Sequence, residues 1–363
     1  MDKTFSIGSL SGSNRKSKTC PEPFDSAQDK LRRRIQNLKW AGFLVILVLL
    51  VGCVRMAEAQ QSKKGPTIGI LSLSPSGRDP YFEAVRQGLH DLGYTEGQNI
   101  FIVYKSAEGR VERLPDLAAE LVRLKVDVIV ARATPVVQAA KNATSTIPIV
   151  IASAADLVGM GFVASLARPG GNITGSTSIQ PELAGKRLEL LREILPKLSR
   201  VAFLAYGGDP AHRQFIREAQ DAGQSLGVQI QPLVVKGSEE FEGAFSAMGR
   251  DRAGALIVQP LFSNTLGQGQ RIADLAIKSR LPTVSDDQGL PEAGGLMSYG
   301  PDLLPLWRRA ATFVDKILKG TKPADLPVEQ PMKFELIINL KAAKQIGVTI
   351  PPNLLARADR VIK

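Results

Sequence analysis

From Pro66 to Tyr299 the chain alternates short apolar runs with stretches of helical period, and it does so twice. The first set of runs covers residues 67–73, 99–104, 126–131, 147–152 and 172–175. The second covers 200–205, 228–235, 253–258, 281–284 and 295–299. Continuous β-branched runs of this length mark strands buried on both faces. The intervening stretches are amphipathic: 81–92 repeats Phe82, Val85, Leu89 and Leu92, and 114–124 repeats Leu117, Leu121 and Leu124. Strand–helix alternation of this kind builds right-handed crossovers on a parallel sheet. First and second strands lie about 30 residues apart in each half, and second and third about 26. The repeat predicts two similar doubly wound lobes rather than one sheet of ten strands, a width that is uncommon.

Beyond Tyr299 the sequence predicts a helix over 301–318, stopped at Lys319-Gly320. A connector with Pro323, Pro327 and Pro331 follows, then a strand at 334–339, a short helix, and a last helix over 353–361. This tail is too short for a domain and suits a hinge passing back and forth between the lobes. The expected division is 1–59 as an N-terminal extension and signal peptide, 66–180 plus 298–322 as the first lobe, and 181–297 plus 323–363 as the second.

The first 59 residues read as an address. Arg32, Arg33, Arg34 and Lys39 precede an unbroken apolar run at 41–51, which is shorter than the ~20 residues a membrane span needs. Two cleavage patterns overlap behind it. Leu50-Val51-Gly52-Cys53 has the form of a lipobox, with Cys53 as the lipidated residue, whereas Ala57-Glu58-Ala59 would release a soluble protein. Either one puts the folded part outside the cytoplasm, in the periplasm or cell envelope. Residues 1–30 fit neither leader nor domain, so translation is expected to start downstream, near Leu31.

Composition excludes several classes. Hydrophobic residues are 44% and charged residues 22%, which places the chain among globular proteins. The formal charge is +11, but residues 1–52 hold nine basic side chains against four acidic ones. The remainder shows no basic stripe with interleaved aromatics, so nucleic acid is not expected as a partner. Both cysteines, Cys20 and Cys53, precede the repeated region, which leaves no thiol nucleophile or cysteine metal site there. His90 and His212 have no second ligand at metal-binding spacing, and both read as helix-surface residues.

In open parallel sheets, ligands bind beyond the carboxyl ends of the strands. The residues there are Ser72, Ser74, Ser76, Thr134, Ser153, Asp156 and Ser178 in the first half, with Tyr81 nearby. In the second half they are Tyr206, Asp209, Gln259, Asp286 and Tyr299. The set is rich in hydroxyl and amide groups. It holds no matched general acid and base and no nucleophile beside a histidine, the profile of recognition rather than catalysis. No cofactor or metal is expected. Ser76 precedes a helix, and Thr134-Pro135 has the form of an N-cap followed by proline, so a carboxylate would dock at either helix start. Asp156, Asp286 or Asp287 would then meet an ammonium group. The plainer readings are that the hydroxyls cap helices and that Asp209 and Asp286-Asp287 sit in turns.

Several longer stretches resemble one known family. They include ATSTIPIV at 143–150, LARPGGNITG at 166–175, KRLELL at 186–191, EAGGLMSYG at 292–300, KFELIINL at 333–340 and PPNLLARAD at 351–359. Together with Gln87-Gly88-Leu89 and Glu96-Gly97-Gln98-Asn99-Ile100, they make residues 66–363 similar to the ABC-transporter substrate-binding family related to tryptophan-binding lipoproteins. The resemblance implies a type I periplasmic-binding fold: two α/β lobes joined by a three-strand hinge. It also implies a small-molecule ligand, an amino acid among the candidates, and partnership with an ABC permease and its ATPase. Leu157 and Ser285-Asp286-Asp287-Gln288 depart from the family pattern at the expected cleft. A monomer, held to the membrane by leader or lipid, is the expected state; the competing reading is an extracytoplasmic sensor subunit not coupled to transport.

Overall fold

The apolar runs become strands of two parallel-stranded sheets in the computed structural model, which describes residues 65–74, 80–179 and 181–363. In the first half the order is β1 (Thr67–Ser72), α1 (Pro80–Asp91), β2 (Phe101–Ser106), α2 (Leu114–Arg123), β3 (Val128–Arg132), α3 (Thr134–Ala143), β4 (Ile149–Ala154) and β5 (Ile173–Thr177). These strands form one parallel sheet in the order β2-β1-β3-β4-β5. β3, β4 and β5 are buried along their whole length; β3 and β4 are apolar except for Arg132 and Ser153 near their carboxyl ends, and β5 carries Thr174, Ser176 and Thr177, whereas edge strand β2 is only half-buried.

The second half runs α4 (Ala184–Ile194), β6 (Arg200–Tyr206), α5 (His212–Leu226), β7 (Gln229–Val235), α6 (Phe241–Arg250), β8 (Ala255–Val258), α7 (Gly269–Lys278), β9 (Thr283–Ser285), α8 (Gly289–Glu292) and β10 (Met297–Pro301). Then come α9 (Leu303–Leu318), β11 (Phe334–Asn339), α10 (Leu340–Ile346), α11 (Pro352–Leu355) and β12 (Arg360–Ile362). The second sheet has the order β12-β11-β10-β9-β8-β6-β7. Pro232 is tolerated in β7 because that strand is an edge.

The tail differs from its expected hinge role. β11 adds antiparallel to β10, and β12 adds parallel to β11, so the chain's end extends the second sheet to seven strands. The predicted last helix stops at Leu355. The Asp359 backbone N–H then donates to the Leu336 carbonyl, and its side chain accepts from the Leu336 N–H at 2.8 Å, drawing 360–362 onto the sheet edge.

The points where the chain changes lobes also differ from the expected bounds. β10 belongs to the second sheet, so the chain leaves that lobe after Pro301, not before residue 298. Helix α9 packs on the first sheet, where Asp302 caps it through the Leu304 N–H. The connector stays with the first lobe past residue 322, because Glu329 bonds through its backbone to Gly175 and Thr177 beside β5. The three crossings therefore lie at 178–181, 301–303 and 330–333. At the last two, the Asp302 N–H donates to the Lys333 carbonyl.

Helix α9 and helix α1 share one core over the first sheet. Tyr81, Val85 and Leu89 face it, where the sequence pattern pointed to Phe82 and Leu92; Leu92 is exposed. Likewise α2 buries Leu114, Ala118 and Leu121 and leaves Leu124 outside. The two helices touch at Gly88, where a Cβ would stand 2.6 Å from the Arg308 carbonyl oxygen. Trp307 is fully buried there and stacks on Tyr81 with centroids 5.7 Å apart. No helix among the described residues is long and apolar enough to cross a membrane.

Candidate functional site

The carboxyl ends of the two sheets face each other and enclose two adjoining cavities that share Leu303. The first is a space of about 30 Å3, lined by Arg132, Thr134, Ser153, Asp209, Pro260 and Thr265 among others. The second is a space of about 10 Å3, lined by Tyr81, Asp286, Asp287, Ser298, Asp302 and Glu335 among others. Both are spaces on the scale of individual water molecules. A third, larger concavity lies between α1 and β2, but its charges satisfy one another: Arg86 pairs with Glu83 at 3.0 Å and Glu96 at 2.9 Å, all exposed.

On the first lobe, Arg132 ends β3 and is nearly buried, its guanidinium 4.7 Å above the Tyr81 ring. Thr134 is not an N-cap, contrary to the Thr-Pro pattern. It is the first residue of α3, and Ala133 occupies the cap position at φ 69° with no side-chain bond to the helix start. A non-glycine residue in that region is strained. The Val136 and Val137 N–H groups both donate to the Ala133 carbonyl and Pro135 has none, so the Thr134 N–H is the one at this helix start without a backbone partner among the described residues. Arg132 and this helix start make the first lobe's face of the site electropositive.

On the second lobe, three carboxyls are buried. Asp209 accepts from the Ala211 N–H at 3.0 Å and from Gln259 Nε2 at 2.6 Å, while Gln259 Oε1 accepts from the Tyr206 N–H. Burial pushes Asp209 up to about 7 against those two bonds. Asp287 accepts from Ser263 Oγ and the Gly289 N–H, and burial raises it to about 6. Asp286 differs from both. It is 2% exposed, and neither carboxylate oxygen has a hydrogen-bond donor among the described residues. Its nearest cation is Arg187 of α4, with Nη2 3.6 Å from Oδ2. Burial raises Asp286 to about 7, Arg187 pulls it down in part, and Asp287 pushes it up further. Burial also lowers Arg187, but a guanidinium starts so high that it keeps its proton, and Asp286 is the partner that titrates.

The cavities bring together Tyr81, Thr134, Ser153, Asp209 and Asp286 of the sequence-expected residues, with Asp287 beside them. The others lie off both linings. Ser74 is buried beside Ser72 and Ser106, and Gln259 is spent on Asp209. Asp156 is a turn residue at φ 42° that accepts from the Gly159 N–H. Tyr206 lies edge-on to Phe262, and Tyr299 stacks on Phe334 and offers its carbonyl to Arg187. Ser178 sits at the first crossing with its hydroxyl unpartnered among the described residues. Ser76, Cys53 and the whole 1–59 leader lie outside the described residues. Sequence reasoning missed Arg132, Arg187, Leu303 and Trp307. Arg132 was legible as the one charged residue closing an otherwise apolar strand; the other three depend on which helices cross to the cleft.

One apolar cluster holds residues of both lobes, Leu73 and Ala107 from the first together with Leu261 and Phe262 from the second. The sequence of residues 68–362 matches the family of ABC transporter substrate binding proteins. A tyrosine-binding protein of Clostridioides difficile is 27% identical over 87% of this chain and 93% of its own. The crystal structure of a Streptococcus pneumoniae ABC domain in complex with L-Trp is 26% identical, covering 82% of this chain and all of the other, with a TM-score of 0.76. The ligand-free, open structure of a substrate binding protein with adhesive properties from Clostridium difficile is 25% identical, covering 82% of this chain and 99% of the other. Its TM-score is 0.59. With two α/β lobes, three crossings, facing strand ends and a profile match over nearly all of the described residues, the chain belongs to the ABC transporter substrate binding protein family.

Proposed function

We propose that this chain is an exported, non-catalytic receptor that closes its lobes on an α-amino acid and delivers it to an ABC permease and ATPase. The carrying observation is Asp286: a fully buried carboxylate with no donor of its own, on the wall of a cleft whose opposite side holds Arg132 and the uncapped start of α3. Leaving a carboxylate so placed costs free energy that an ammonium group would recover. An α-carboxylate meets Arg132 and the Thr134 N–H at the start of α3; the α-ammonium meets Asp286. The ligands of the Clostridioides and Streptococcus relatives, both aromatic amino acids, support the same class.

The lobes are in a closed setting on this reading. The shared apolar cluster and the nearer likeness to the liganded relative than to the open one support it. Closure about a three-strand hinge is a standard way to sequester a ligand. Export through the 1–59 leader, with Cys53 lipidated or cleavage after Ala59, keeps the receptor at the outer side of the membrane, where its permease is met.

Calorimetric titration of the full chain with each of the common amino acids is the test. One or a few should bind with a single site, and Asp286→Asn should weaken that binding by about 30-fold or more. Failure of every amino acid to bind wild-type protein would refute the ligand class.

A further inference from the structure

Asp286 does not stand alone. Arg187 is 2% exposed, sits directly behind it on α4, and donates through Nε to the Tyr299 carbonyl at 3.1 Å. Tyr299 lies on β10, just ahead of the second crossing, and α4 begins just after the first. A buried arginine therefore touches both a cleft acid and a strand of the hinge. Its guanidinium is not on the lining of either cavity. A buried cation away from the ligand space is costly unless it serves a partner.

We infer that Arg187 is the positioning residue of the cleft: it holds the Asp286 carboxylate charged and turned toward the cavity, and it fixes that setting to the hinge through Tyr299. This rests on the amino-acid reading only for what the carboxylate meets; the charge setting itself is a property of the unliganded chain. Several charged or titratable groups face this pair. Arg132 approaches from β3, and Asp287 stands next in the chain. Asp302 and Glu335 lie along the same cavity with Tyr81, and Glu182 and Tyr299 lie near the arginine. Asp302 and Glu335 are both engaged by Lys333, at 3.6 and 2.6 Å, and Asp287 is held by Ser263 and Gly289. Arg132 lowers Asp286 from across the cleft, but Arg187 is the larger influence of the two.

The role is tested by following the Asp286 carboxyl carbon by NMR through a pH titration of the full, unliganded chain. Three proteins are compared: wild type, Arg187→Gln and Arg187→Lys. Glutamine keeps a donor for the Tyr299 carbonyl and loses only the charge; lysine keeps the charge. Removing a cation this close should raise the Asp286 midpoint by about one unit or more. Lysine should bring it back toward wild type. Arg187→Gln should also move the pH dependence of amino-acid binding upward by the same shift, with affinity regained at higher pH. An Asp286 midpoint equal in all three proteins overturns the proposal, even if the glutamine protein is less stable. Should the glutamine protein not fold, a lysine protein whose midpoint has risen as far as one unit also overturns it, since charge is retained there. Absence of amino-acid binding by wild type, with the midpoint shift intact, would instead strike the proposed ligand and leave Arg187's role standing.

Discussion

Replacing Asp286 with asparagine should make the empty protein more stable while depriving it of its ligand. The magnitude follows from the carboxyl's raised pKa, about 7 against an ordinary 3.8, whose first cause is burial. A raised carboxyl pKa means that the folded state holds a proton the unfolded chain has released. The cost is absent below about pH 4, grows by about 1.4 kcal/mol per unit, and levels off above pH 7. At pH 5 it is about 2 kcal/mol and at pH 8 about 4 kcal/mol, a ceiling that any opening of the cleft lowers by rehydrating the group. Asparagine imitates the protonated form and still offers Arg187 an oxygen. Thermal melts of wild type and Asp286→Asn without ligand should therefore separate more at pH 8 than at pH 5. At roughly 2–4 °C per kcal/mol, the variant should gain several degrees at pH 8. Amino-acid affinity should fall by about 30-fold or more, the usual consequence of removing one member of a buried charge pair. Equal separations of the two melts at both pH values would refute the reasoning, since a pH-independent gain cannot come from an ionising carboxyl.

Arg132→Gln should weaken amino-acid binding about tenfold or more while costing only ~1 kcal/mol of stability, the scale of its contact with Tyr81; calorimetry and melts on one preparation separate the two effects. Asp156→Ala should leave affinity unchanged and lower stability by about 1–2 kcal/mol, because it removes the bond to the Gly159 N–H and puts alanine at φ 42°. Chemical denaturation reads this directly, and a lost ligand would return Asp156 to the site. Gly88→Ala should cost about 1–3 kcal/mol, since its methyl meets the Arg308 carbonyl and the Ala311 side chain where α1 crosses α9. An unaltered melt would mean that the two helices part easily.

The sheets were legible because strands buried on both faces are written mostly in apolar residues. β3, β4 and β8 are examples, each bounded by a change of period. What stayed hidden depends on partners distant in sequence. Residues 353–361 have the leucine and alanine content of a helix, yet Asp359 is captured by Leu336, 23 residues earlier, and the segment ends as a strand. The site was half legible. The rule that ligands gather at strand ends found Thr134, Ser153 and Asp286, but it does not distinguish a residue turned to the cleft from one spent on its own loop. Asp156 and Gln259 are of the second kind. Arg187 was invisible as a cleft residue because its motif reads as an ordinary amphipathic helix; only packing reveals that it lies behind Asp286.

The stacked pair of Tyr81 and Trp307 has a spectroscopic consequence. The sequence contains two tryptophans, and the other, Trp40, falls within the proposed leader, so cleavage at Cys53 or after Ala59 would leave Trp307 as the sole indole of the mature chain. That indole is buried in the core of the first lobe, while its stacking partner forms part of the cleft wall under the Arg132 guanidinium. Emission from the mature protein is thus a single-site signal originating one ring away from the ligand space. A cargo that displaces Arg132 from Tyr81 will change the intensity of one fluorophore, so occupancy can be followed in real time without a label.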